Sequence, residues 1–111
     1  MGDLMDKMTS SGPLLSFSTR EALRQVGIHL KTARLRRGES EELAAERTGV
    51  SRQTWRRLEE GSAKVSLGLF FEAMTVYGFG EQLFDLAAPD LDADGMALDA
   101  ARRPQRGRSR P

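Results

Sequence analysis

The chain contains no cysteine. That excludes a disulfide framework and any thiolate chemistry, whether metal-binding or nucleophilic, and it is compatible with a reducing cytosol. Long apolar runs are missing too: nothing approaches the roughly 20 residues of a membrane-spanning helix. Residues 1–17 include acidic side chains and lack the continuous apolar core that a signal peptide needs. These absences lead us to expect a soluble, cytoplasmic protein. An excess of one charge is also absent, since 17 Lys and Arg stand against 16 Asp and Glu for a formal net charge of +1. Any case for nucleic-acid binding therefore rests on where the charges lie. The single histidine, His29, has no evident triad partners, and no Gly-rich phosphate loop, metal cluster or paired-carboxylate constellation is visible. No enzyme and no cofactor are expected.

What is present is a run of short helical patterns, with no segment of period two. Ser18-Thr19-Arg20-Glu21 reads as a capping box and predicts a first helix from about Thr19. Its stripe of Leu23, Val26, Leu30 and Ala33 continues until Gly38. Ser40 opens a second helix with Glu41 and Glu42 in its first turn, which suits the helix dipole. Ala44 and Ala45 are small enough for another helix to approach, and Gly49 supplies a sharp turn. Ser51 caps a third helix that ends at Gly61. Ser66 caps a fourth, with Leu67, Phe70, Phe71 and Met74 as its apolar stripe. A fifth short helix is expected over Glu81–Ala88. The fold class expected is all-α, a five-helix bundle. Residues 1–17 are expected to form a flexible arm, residues 18–88 the domain, and residues 89–111 an exposed tail, acidic and then Arg-rich.

The third helix has two incompatible faces. At about 100° per residue, Arg52, Gln53, Arg56, Arg57 and Glu60 share one arc, and Thr54, Trp55 and Leu58 share the other. Guanidinium and carboxamide groups are the side chains that pair bidentately with base edges in the major groove. The arc therefore reads as a recognition surface rather than an ordinary solvated face. Trp55 shares the Leu58 face, which assigns it to the core rather than to base stacking.

This pair of short helices joined through Thr48-Gly49-Val50 resembles the helix-turn-helix of the Xre/Cro/cI repressor family, whose fold is lambda-repressor-like. The resemblance covers about residues 26–88 and is carried by Leu30, Arg34, Gly38, Ser40, Ala45, Gly49-Val50-Ser51, Leu58-Glu59 and Gly61. It implies that Arg52, Gln53, Arg56 and Arg57 meet bases or nearby phosphates of double-stranded DNA, with Ser51, Ser62 and Lys64 against the phosphate backbone. It also implies a salt bridge between Arg34 and Glu59 that fixes the angle of the third helix. A sequence-specific repressor, binding a palindromic operator as a homodimer, is the function this implies. Tyr77, Phe79, Leu83 and Phe84 are the candidate dimer surface, although the same side chains would equally serve as core. A narrower resemblance, in Val65–Phe70, the short fifth helix and the Arg/Pro tail, is to HipB-type antitoxins, which repress their own operon and hold a HipA-type kinase toxin.

Two departures from the family stand out. Where members usually carry glutamine at the start of the second helix, this chain has Glu41, whose carboxylate is expected to face solvent and to repel DNA of any sequence alike. Leucine at position 43 and alanine at 44 reverse the usual order, which predicts a second helix that is rotated or irregular in its first turn. Together with Glu42, Glu60 and the near-zero net charge, Glu41 also motivates an alternative: a protein interaction module that has lost specific DNA binding. Asp90-x-Asp92-x-Asp94-Gly95 copies the opening of a calcium loop, but its twelfth position is Ala101 where a bidentate glutamate is needed, so no metal is expected.

Overall fold

A computed structural model of the chain describes residues 14–104. Most of the expected N-terminal arm and Arg106, Arg108 and Arg110 of the tail lie outside the described residues. Within them the chain is all-helical: α1 (Phe17–Arg36), α2 (Glu41–Thr48), α3 (Arg52–Glu59), α4 (Leu67–Val76), the single-turn α5 (Gly80–Leu83), a 3-10 turn (Pro89–Leu91) and α6 (Ala93–Arg102). None of these helices is long and apolar enough to cross a membrane. The chain divides into two compact units, one ending at Gly80 and the other beginning at Glu81.

Local chemistry sets the helix boundaries of the first unit. Four serine hydroxyls, of Ser16, Ser40, Ser51 and Ser66, each accept the backbone N–H three residues on, at 3.0–3.1 Å. Such a cap contributes about 1 kcal/mol over alanine. The first of them corrects the sequence reading: α1 is capped by Ser16, and Ser18 lies inside its first turn. Glu21, the proposed second half of the box, instead pairs with Arg24 at 2.8 Å along the helix surface. At the other end of α2, Gly49 takes φ 75°. There its N–H bonds Glu46 O at 3.2 Å and the Val50 N–H bonds Ala45 O at 3.0 Å, the paired closure that a left-handed residue makes possible. This closure turns the chain sharply enough to start α3 at Arg52.

Leu30, Ala33, Ala44, Ala45, Trp55, Leu58, Leu69, Ala73 and Tyr77 form one buried cluster, with Val26, Val50, Val65, Phe70 and Met74 packed around it. Ala44 is fully buried and Leu43 exposed, on a regular helix. The first turn of α2 is thus regular: the smaller side chain occupies the inward position, where α3 comes close, and Leu43 lies outward. On α4 the buried side chains are Leu69 and Ala73, continued by Tyr77 at its C-cap; of the expected stripe, Phe70 and Met74 pack partly buried against this core, and Leu67 is exposed. That helix is apolar on most of its circumference, so periodicity alone could not pick the face.

The second unit differs in kind. Helix α6 buries no residue, and no helix was expected there. Its supports are local: the Asp92 carboxylate accepts from the Gly95 N–H at 2.9 Å, and Arg103 pairs with Asp99 at 2.7 Å. Asp94 in its first turn and Arg102 in its last both complement the dipole. The aspartates read as a calcium-like motif include the cap of this helix.

The end of α3 rests on the backbone of α1 at two glycines. A Cβ on Gly27 would meet Glu59 C at 2.8 Å and Leu58 O at 2.9 Å, and one on Gly61 would meet Arg24 Cα at 2.6 Å. Gly61 in addition has φ 77°, so no other residue fits there without strain. Replacing Gly27 by alanine should therefore destabilise the protein by about 1–3 kcal/mol, as overpacked sites do, despite the gain of about 1 kcal/mol in helix propensity. Urea denaturation followed by circular dichroism measures this, and a stabilised Gly27→Ala variant would contradict the close approach.

Candidate nucleic-acid interface

The inner side of α3 is anchored by charge as well as by apolar contact. Glu59, in its last turn, is buried and accepts from Arg34 of α1 through two parallel bonds, Nε to Oε2 at 2.6 Å and Nη2 to Oε1 at 3.0 Å. Trp55, fully buried one turn earlier, donates its indole N–H to the same Oε2 at 2.7 Å. The remaining Arg34 nitrogen, Nη1, donates to the Glu39 carbonyl at 2.8 Å. No buried side-chain nitrogen or oxygen among the described residues lacks a partner. The hydrogen bonds to Glu59 hold the Arg34 guanidinium above its ordinary pKa, outweighing the opposing effect of burial. Two charges taken out of water are costly, and a fork geometry with each guanidinium nitrogen hydrogen-bonded is the condition under which they are tolerated.

A second polar latch closes beside the first. Tyr77, at the end of α4, donates its hydroxyl to Glu39 Oε1 at 2.8 Å, and Arg47 of α2 pairs with Glu39 Oε2 at 2.5 Å. The guanidiniums of Arg37 and Arg47 lie 5.3 and 5.6 Å from the centre of the Tyr77 ring, and the ring tilts against Trp55 at 6.1 Å. Burial, with the hydrogen bond to Glu39 second, pushes the Tyr77 hydroxyl up to about 12. This accounts for Tyr77 as core: it is 3% exposed and has no surface left to offer a second copy. Of the other residues considered for a dimer surface, Phe79 packs against the core, Leu83 is half-buried and Phe84 is 89% exposed.

With its inner face so occupied, α3 presents Arg52, Gln53, Arg56, Arg57 and Glu60 outward, all exposed. The first four are the residues expected to meet DNA, and the helix geometry brings them onto one surface. Ser51 precedes them with its hydroxyl engaged, since Oγ accepts from the Thr54 N–H and donates to Thr54 Oγ1 at 2.9 Å. Ser62 Oγ accepts from the Lys64 N–H at 3.1 Å, which leaves its own O–H able to donate.

Glu41 departs from expectation. Its carboxylate does not face open solvent; Oε1 accepts from Arg56 Nη2 at 2.9 Å and from Arg52 Nε at 3.4 Å. The hydrogen bond from Arg56 is the main reason its carboxyl titrates below the usual range, and the same contact raises Arg56. Nothing in local spacing reveals a pair eleven or fifteen residues apart, and the Glu39–Tyr77 contact spans 38 positions. The Trp55–Glu59 bond could have been read, because residues four apart share a helix face.

Removing either partner of the buried ion pair leaves the other charged and unpaired, so Arg34→Met and Glu59→Met should each cost about 3–5 kcal/mol. The double variant should cost clearly less than their sum. Chemical denaturation of the four proteins provides the cycle, and additive losses would show that the pair carries no coupling.

Comparison with known proteins places residues 25–87 on a family model described as a helix-turn-helix domain. Searches of curated proteins and of solved structures found no match. The matched span runs from the middle of α1 past α5 and includes the turn at Gly49, the buried Arg34–Glu59 pair and the whole of α3. It covers more than half of the chain, and the chain belongs to the helix-turn-helix domain family.

Proposed function

We propose that this protein is a sequence-specific transcriptional repressor that lays α3 in the major groove of a palindromic operator and binds it as a homodimer. The observation that carries the reading is the division of α3. Trp55, Leu58 and Glu59 are buried, while Arg52, Gln53, Arg56 and Arg57 stand exposed on the opposite arc. Arginine suits guanine O6 and N7, and glutamine suits adenine N6 and N7. Ser51, Ser62 and Lys64 flank the helix and suit phosphates, Ser51 through its backbone N–H because its hydroxyl caps α3.

An eight-residue helix is only about 12 Å long and reads a few base pairs. Two copies on half-sites about 34–36 Å apart supply the missing specificity. The dimer surface in this reading draws on Phe84 with Leu86, both exposed in the unit that begins at Glu81, and not on Tyr77. The finer reading, an autoregulating antitoxin of a HipA-type kinase, adds a partner to this repressor and rests on the resemblance in Val65–Phe70 and the tail. Co-purification of a kinase encoded beside it tests that addition.

A second reading has one observation in its favour: Glu41 already occupies two of the three arginines on the outward face, as a module that binds a protein and no longer DNA could allow. A salt series separates the two. DNA binding through Z phosphate contacts should weaken log-linearly with salt, with a slope of about −0.9Z. No binding to any genomic fragment at low salt would favour the protein-binding module.

A further inference from the structure

Glu41 stands at the first position of α2, yet both hydrogen bonds to its side chain come from α3. One oxygen of its carboxylate, Oε1, receives Arg56 Nη2 at 2.9 Å and Arg52 Nε at 3.4 Å. These arginines are one turn apart, so their side chains leave the same face and converge on that oxygen. Glu41 is also the more deeply set partner: its side chain is 24% exposed, against 55% for Arg52 and 48% for Arg56. The carboxylate sits behind the guanidiniums and the guanidiniums remain on the outer surface. Arg57, by contrast, makes no ion pair among the described residues.

This arrangement acts differently on the two kinds of DNA contact. A phosphate attracts a guanidinium by charge, from a wide range of directions, and a carboxylate fixed within hydrogen-bond distance offsets that attraction. A base edge is bound through a fork of parallel N–H groups whose orientation matters as much as its charge. Arg52, tethered through Nε, keeps both terminal nitrogens free for such a fork, and Arg56, tethered through one N–H of Nη2, keeps one edge of its guanidinium free. Holding two flexible side chains before DNA arrives also removes part of the ordering cost of base contact.

We propose that Glu41 is a specificity-determining residue of this interface: by pairing with Arg52 and Arg56 it withholds them from phosphates and holds them for base edges, with guanine the base that fits. The inference rests on the reading of α3 as a DNA-recognition helix. It replaces the expectation of a solvent-facing carboxylate that repels all DNA alike. Glu41 weakens sequence-independent binding more than it weakens binding to the operator.

The test uses the full chain, two duplexes and a salt series. One duplex has random sequence and the other is enriched from a random pool by the wild-type protein. Glu41→Gln keeps the shape of the side chain and removes its charge. Its affinity for the random duplex should rise roughly tenfold, and its log–log salt slope should steepen by about one to two as the freed arginines reach phosphates. Affinity for the enriched duplex should rise much less, so that the ratio of the two falls. Adding Arg56→Ala to Glu41→Gln should cancel most of the gain on the random duplex, and Glu41→Ala should reproduce the fall in ratio should the glutamine perturb the fold. An unchanged ratio, with wild-type protein binding both duplexes, overturns the role of Glu41 and leaves the DNA reading standing. Absence of binding by wild type and Glu41→Gln alike, even to random duplex at low salt, overturns both.

Discussion

The buried fork between Arg34 and Glu59 is the interaction on which the arrangement of this domain depends. It joins α1 to α3 across the helix that separates them in sequence, and it does so from the inside. Apolar contact between Leu30, Trp55 and Leu58 gives the helices a reason to meet, but such contact is non-directional. The fork adds direction. Its bonds, with the Trp55 indole on the same carboxylate and the Glu39 carbonyl behind the arginine, fix the rotation of α3 about its own axis. Rotation of α3 decides which side chains face outward. Removing water from two charges is costly enough that a well-packed apolar pair could match the fork in stability.

Around that fork the long α1 is joined by α2, α3 and α4, which are too short to persist alone. Serine hydroxyls satisfy their first turns, and glycines at positive φ close several of their last ones. Gly61, one of these, and Gly27 in the middle of α1 also let the end of α3 approach the backbone of α1 where a Cβ would collide. The Glu39–Tyr77 contact then holds the loop before α2 against the end of α4. The fork and the close glycine contacts both tie the end of α3 to α1, and the outcome is an occupied inner face and an outer face free to carry charge.

Much of this could be read in the sequence, for physical reasons that also explain the failures. Ser40, Ser51 and Ser66 were legible as caps because capping is a matter of residues three apart, and Trp55 was legible as core because it shares the Leu58 arc. Local signals failed where two competed: Ser16 and Ser18 are both able to cap α1, and the upstream one does. The inward face of α4 is legible only in part, because most of that helix is apolar: Phe70 and Met74 of the expected stripe do pack on the core, but the deepest burial follows the tertiary packing of Leu69, Ala73 and Tyr77. Helix α6 was missed because its composition is that of an exposed tail and its supports are a cap and a single ion pair. The position of Glu41 could not be read at all, since its partners are brought to it only by the angle between α2 and α3. Arg52, Gln53, Arg56 and Arg57 were placed on one outward arc by the periodicity of a single helix. The Arg34–Glu59 pair was implied by resemblance alone.

On this account the near-neutral charge of the chain does not conflict with a DNA-binding role, because three arginines are concentrated on one short arc and one of the acidic residues nearby is itself turned onto two of them. Selection of bound sequences from a random double-stranded DNA pool by this chain puts the reading of α3 to the most direct test. The account predicts enrichment of two inverted half-sites, each containing guanine at the positions facing α3, with centres about 34–36 Å apart along the duplex. A pool that emerges without enrichment would contradict it, and an enriched single half-site would contradict the dimer.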